Sequence, residues 1–184
     1  MTLRSLPIYL LLFAAPIWAS GAPAGLQNFE QINEHLYRGA QPSGVGFASL
    51  AKLGVKTVVD LRASGDRSIH ESALAQALGM RYVNVPLDGY RAPTQAQIAK
   101  LLGILCDPSA GTIFIHCRRG ADRTGTIIAA YRIDHDHWDN QQALSEARAF
   151  KMAASERSMQ HFILQFRPEP TGRNADDSRN FAAR

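Results

Sequence analysis

The sequence predicts a single α/β domain with a largely parallel central sheet and helices on both of its faces. Short β-branched runs such as 56–61 (KTVVDL) and 112–116 (TIFIH) read as strands buried on both faces. Segments of helical spacing alternate with them, and that alternation favours parallel pairing through helical crossovers. A length of 184 residues gives one domain a proper core and is short for two. No internal repeat and no second domain are visible.

The elements follow in order. Residues 24–34 read as a lead-in, and 35–38 (HLYR) as a short strand. The segment 39–46, with Pro42, reads as a loop. Residues 47–53 alternate apolar and small side chains at helical spacing, and Gly54 closes them. The strand at 56–61 precedes a helix over 68–78 that Gly79 stops. Residues 81–85 (RYVNV) form the next strand, ended by Pro86, and 87–93 are polar and turn-rich. Thr94 suits the N-cap of a helix running to about residue 105. Gly111 opens the strand at 112–116, and an apolar helix spans 126–133. Two more helices are expected around 140–150 and 155–166.

The termini differ from this core. Arg4 precedes an apolar stretch over 6–19, and small residues follow (Ala19, Ser20, Gly21, Ala22). A basic start, a short apolar run and a small-residue exit describe a secretory signal peptide, here residues 1–21. The run falls short of the roughly 20 apolar residues that a bilayer span needs. The expected mature chain is therefore exported to the periplasm with no stable membrane span. Its domain covers 22–167, and the polar tail at 168–184 is expected to be disordered.

Composition narrows the partners. Hydrophobic residues make up 46% and charged residues 20%, which suits a globular chain. The net charge of +4, with no lysine- or arginine-rich run, argues against nucleic acid and mildly favours anionic substrates. A monomer is expected. The two cysteines, Cys106 and Cys117, allow at most one bridge, so the core must carry the stability. Cys106 reads as a small buried apolar residue, and Cys117 as a thiolate not bridged to it.

The segment 115–125 (IHCRRGADRTG) carries the chemistry. It follows an apolar strand and opens an apolar helix. A glycine-containing loop at a helix N-terminus gathers unpaired N–H groups, and the helix dipole adds positive potential. Phosphate fits there, and the same field favours a thiolate at Cys117. Arg123, six residues on, can fold back over the loop, where its planar fork would bind two phosphate oxygens.

This His-Cys-x5-Arg-Thr pattern resembles the phosphate loop of the protein tyrosine and dual-specificity phosphatase superfamily. The segments 36–42 (LYRGAQP) and 53–62 (LGVKTVVDLR) resemble the start of its compact bacterial members, including periplasmic ones. Rhodanese-like sulfur-transfer loops are typically one residue shorter.

The resemblance implies a metal-independent hydrolase without a cofactor. Cys117 attacks phosphorus to form a phosphocysteine. Arg123 and the loop residues Arg118, Arg119, Gly120, Ala121 and Asp122 hold the phosphate. Thr124 assists the departing thiolate, and His116 orients the loop from behind. In compact dual-specificity phosphatases the general acid lies in a loop at about the place of Asp88, 29 residues before Cys117. Asp88 is therefore the expected acid, and Asp122 the alternative. Asp60 is expected to cap or pair near Arg62. The cluster Asp134-His135-Asp136-His137 reads as a solvated helix end rather than a metal site. The expected substrate is a phosphorylated protein. An inositol phosphate or phosphoinositide is the alternative, motivated by Arg118 and Arg119, and a phosphate-binding module without turnover is the third reading.

Overall fold

A computed structural model describes residues 22–168. The leader expected at 1–21, and all of the expected tail but Pro168, lie outside the described residues. Five strands form one sheet: β1 (Glu30–Asn33), β2 (Leu36–Ala40), β3 (Thr57–Asp60), β4 (Arg81–Asn84) and β5 (Ile113–Cys117). Their spatial order is β1-β2-β5-β3-β4, and only the β1–β2 pair is antiparallel. The largely parallel sheet expected from the sequence is therefore present, with β5 at its centre.

Alternation along the strands divides the core. Tyr37, Val58 and Phe114 face α1 (Gly44–Lys52) and α2 (Asp66–Ala77), packing with Phe47, Leu50 and Ala75. Leu36, Val59, Ile113 and Ile115 face the opposite layer, built from α3 (Gln95–Leu105), α4 (Asp122–Asp134), α5 (Asn140–Ala149) and α6 (Arg157–Gln165). Ile127, Ile128 and Leu144 fill that second core. The helix α4 lies inside the layer, with ten of its thirteen residues buried. Such a helix shows no amphipathic stripe.

Most boundaries fall within two residues of the expectation, and three larger differences have physical reasons. The lead-in contains β1, whose sequence EQIN buries only Ile32 and so lacks an alternating signal. The first helix begins at Gly44 rather than residue 47, because the Ser43 hydroxyl accepts the Gly46 N–H and caps it. The helix after β5 begins at Asp122 rather than residue 126. Its polar first turn is composed like a loop but is held by neighbouring elements.

The cap at Thr94 is as expected. Its hydroxyl accepts the Gln97 N–H at 3.3 Å, while the Gln97 side chain accepts the Thr94 N–H at 2.9 Å. Thr94→Ala should therefore lower stability by about 1 kcal/mol, read as a reduced urea midpoint at unchanged slope.

Candidate active site

The parallel strands place the site at their carboxyl ends, where β5 passes into α4. Cys117 is the last residue of β5 and is buried. The chain then leaves the sheet as a four-residue loop, 118–121, and enters α4 at Asp122.

That loop is fastened to β2 and to the lead-in. Asn28 donates to the Arg119 carbonyl at 3.1 Å, and the Gln41 N–H donates to the Arg118 carbonyl at 3.3 Å. Arg38, fully buried on β2, donates from Nη2 to the Gly120 carbonyl at 2.8 Å. Its guanidinium lies 4.0 Å above the Phe150 ring, and burial pulls it down to about 10. Gly120 has φ +67°, and a Cβ there would sit 2.4 Å from the Gly39 carbonyl carbon. With their carbonyls bonded outward, the loop amides at the helix start are left as donors for an anion.

Arg123 stands in the first turn of α4, half-buried, and donates from Nη1 to the Leu61 carbonyl at 3.4 Å. The same carbonyl accepts the Leu87 N–H at 3.1 Å, so the loop carrying Asp88 is joined to the arginine through one peptide. Gln97 anchors that loop at the Pro86 carbonyl (2.8 Å), and Ser158 anchors it at the Ala92 N–H (3.0 Å). Asp88 itself is exposed. Its Oδ1 accepts the Tyr90 and Arg91 N–H groups at 2.7 and 2.9 Å, and these bonds hold the carboxyl below its ordinary range. Arg91 and Arg123 act in the same direction at longer range.

Asp122 is occupied differently. One oxygen accepts from Arg119 at 2.7 Å, and the other accepts the Ala153 N–H at 2.9 Å. It is buried and ties the loop to the segment after α5, so its carboxylate has partners on both oxygens. Arg118 and Arg119 are exposed at the rim. Thr124 is fully buried, and its hydroxyl has no hydrogen-bond partner among the described residues.

Behind the loop lies a buried charged cluster on the α1–α2 face. Asp60 takes a bidentate pair from Arg62 (2.9 and 2.7 Å) and a 2.6 Å bond from the Tyr82 hydroxyl. Burial pushes the Asp60 carboxyl up, but these donors outweigh it and the net shift is downward. This is the Asp60–Arg62 pair anticipated from the sequence. His116, fully buried on β5, points Nδ1 at the Cys117 carbonyl at 3.3 Å, and burial lowers it to about 4. Donor atoms of Asp60, Glu71 and His116 lie within 4.8 Å of one another. The cation between the two carboxylates is the Arg62 guanidinium, 2.7 Å from each, so a metal ion does not suit the group. Asp136, in the other candidate cluster, is held by Arg132 and His135, both at 2.7 Å.

The loop thus brings Cys117, Gly120, Ala121, Asp122, Arg123 and Thr124 together, with the Asp88 loop joined to Arg123. Sequence reasoning missed Arg38, Asn28 and Glu71. Arg38 stood inside the segment 36–42, where only the pattern and not the residue attracted notice. Glu71 sits in a polar helix with no signal of burial. No disulfide joins Cys106 to Cys117, and they end different elements: Cys106 caps α3 and Cys117 ends β5.

Sequence comparison now adds the lineage. Residues 20–164 match the family described as a DSP-PTPase phosphatase fused to NAD+ kinase. The chain belongs to this family. The dual specificity protein phosphatase TpbA of Pseudomonas aeruginosa is 33% identical over 132 residues, covering 72% of this chain and 58% of TpbA. The chain thus spans little more than half the length of that relative. A crystal structure of a cysteine-to-serine form of TpbA in complex with pTyr superposes with a TM-score of 0.64 at 30% identity, covering 92% of this chain and 97% of the other. The core catalytic domain of the PP-IP phosphatase SIW14 from S. cerevisiae, in complex with citrate, gives 0.68 at 26% identity, covering 86% and 95%. The DSP-PTPase family therefore accounts for the compact bacterial phosphatase resemblance and for the α/β fold.

The Gly120 geometry gives a direct test. Gly120→Ala forces a left-handed backbone onto a side chain and drives Cβ into Gly39. It should cost about 2 kcal/mol or more in urea denaturation, and weaken inorganic phosphate binding measured by calorimetry.

Proposed function

We propose that the chain hydrolyses phosphomonoesters through a phosphocysteine on Cys117, with phosphorylated proteins as the substrate class. One observation carries this reading: a buried cysteine ends the central parallel strand and opens a loop whose carbonyls are bonded outward, with Arg123 in the following helical turn. Membership of the DSP-PTPase family and the likeness to TpbA with bound pTyr support it.

The chemistry follows from the geometry. The Cys117 thiolate attacks phosphorus in line with the leaving oxygen. Loop N–H groups and the Arg123 fork take up the charge of the equatorial oxygens, which needs preorganised donors rather than a metal. Asp88 protonates the leaving oxygen. Its carboxyl is held low in the structure, but a bound phosphoryl dianion neutralises Arg123 and raises the carboxylate's affinity for a proton. Water then attacks the phosphocysteine, with Asp88 as base, and the Thr124 hydroxyl supports the departing sulfur. Asp122 serves the loop structurally, because both of its oxygens are engaged.

Inositol phosphates are a second reading, favoured by the SIW14 likeness and by the exposed Arg118 and Arg119 at the rim. We further propose that residues 1–21 direct export to the periplasm and that the catalytic domain covers 22–167. Among the described residues no helix is long and apolar enough to cross a membrane.

Two outcomes are expected. Cys117→Ser should reduce p-nitrophenyl phosphate hydrolysis to the background rate with an unchanged circular dichroism spectrum; retained turnover would remove the nucleophile. Asp88→Asn should slow alkyl phosphate hydrolysis by about 10²–10⁴-fold and activated aryl phosphates far less. That leaving-group dependence in Asp122→Asn, and not in Asp88→Asn, would exchange their roles. Phosphate release from phosphopeptides and inositol phosphates, measured side by side, decides between the substrate classes.

A further inference from the structure

The buried cluster behind the loop contains a hydrogen-bonding problem that one residue solves. His116 Nδ1 faces the Cys117 carbonyl at 3.3 Å, and a carbonyl can only accept. Nδ1 therefore carries the proton. Asp60 Oδ1, 3.9 Å from the same nitrogen, asks for a proton there too. In the neutral ring Nε2 is then an acceptor, and it is buried with no hydrogen-bond partner. The Glu71 carboxyl on α2 faces it, with Oε2 3.5 Å from Nε2. An ionised carboxylate could not donate to it.

We propose that Glu71 is a positioning residue: protonated, it donates from its carboxyl to His116 Nε2 and locks the imidazole in the tautomer whose Nδ1–H supports the Cys117 carbonyl. This rests on Cys117 being the nucleophile. The charge balance agrees. Arg62 lies 2.7 Å from both Asp60 and Glu71, so one cation faces two carboxylates, and an ionised Glu71 beside a neutral imidazole would leave the group with a net buried negative charge beneath the loop. Every group that faces the pair is known. Asp60, Arg62 and Tyr82 approach from β3, its exit and β4, Gln41 approaches the carboxyl from the β2 exit, and Arg123 acts on His116 from α4. Burial, opposed only in part by Arg62, raises the Glu71 carboxyl to about 7, and burial holds His116 near 4. Between these two values the shared proton therefore sits on the carboxyl.

The two shifts act on stability in opposite directions. The raised Glu71 contributes stability that is complete below its ordinary 4.5 and is lost as pH rises through about 7. The lowered His116 contributes stability present above 6.5 and lost as pH falls through about 4. Removing the Glu71 titration leaves the His116 contribution unopposed.

The test is long-range ¹H–¹⁵N correlation NMR of the full chain labelled at histidine, with His116 assigned from His116→Asn. The expected wild-type spectrum at pH 6 shows a protonated Nδ1 and a bare, hydrogen-bonded Nε2. That Nε2 signal should shift as pH passes 7. In Glu71→Gln the amide still donates, so the tautomer persists while the shift with pH disappears. In urea denaturation Glu71→Gln should gain stability more steeply than wild type between pH 4 and 7. Glu71→Ala should lower kcat about tenfold or more with little change in KM. If that variant does not fold, the wild-type and Glu71→Gln spectra still decide. An imidazolium at neutral pH, the Nε2–H tautomer, or the same pH shift in Glu71→Gln as in wild type would each overturn the proposal. The spectra and the urea midpoints do not use turnover, so they stand apart from the Cys117→Ser result.

Discussion

Gly120 and Gly39 meet backbone to backbone, and the geometry of the loop at 118–121 depends on that approach. With no Cβ on Gly120, the loop lies directly against β2, close enough for the Gly120 carbonyl to reach the Arg38 guanidinium. Each carbonyl turned outward leaves an amide available on the other side. Because β2 pairs with β5 in register, with Ala40 beside Cys117, the strand that ends in Cys117 also has its neighbour supply the wall of the loop. The sheet thus fixes the relation between sulfur and amides before any side chain is considered.

Charge is buried on both faces of that junction. Arg38 lies in the α3–α6 layer against Phe150, while the Asp60, Arg62, Glu71 and His116 group lies in the α1–α2 layer. Such burial seldom favours stability, since desolvation offsets most of the Coulomb gain. Its effect here is orientation. Arg38 fixes one loop carbonyl, and His116 faces the carbonyl of Cys117.

Much of this was legible in the sequence where local pattern and burial coincide. The strand–loop–helix at 112–133 showed itself through an apolar run, a glycine and a cysteine–arginine spacing. Thr94 announced its helix because capping is a local interaction. What stayed hidden depends on tertiary partners. The polar turn Asp122-Arg123-Thr124-Gly125 is helical although its composition is that of a loop, because Asp122 is held by Arg119 and Ala153. Glu71 reads as one more charge on a polar helix, and only the packing of α2 against the sheet shows it buried. The edge strand β1 follows β2 rather than any pattern of its own.

The segment between Pro86 and Thr94 is tethered at its two ends and through the Leu61 carbonyl, whereas Tyr90 at its tip is 81% exposed. Its shape is therefore modular. Residues 89–91 contribute no side chain to the tethers, so their side chains can be recoded without disturbing the register between sulfur and guanidinium, as long as the Tyr90 and Arg91 N–H groups still reach Asp88. Side-chain variation at this exposed tip is thereby kept apart from the packing of the sheet and of the loop at 118–121.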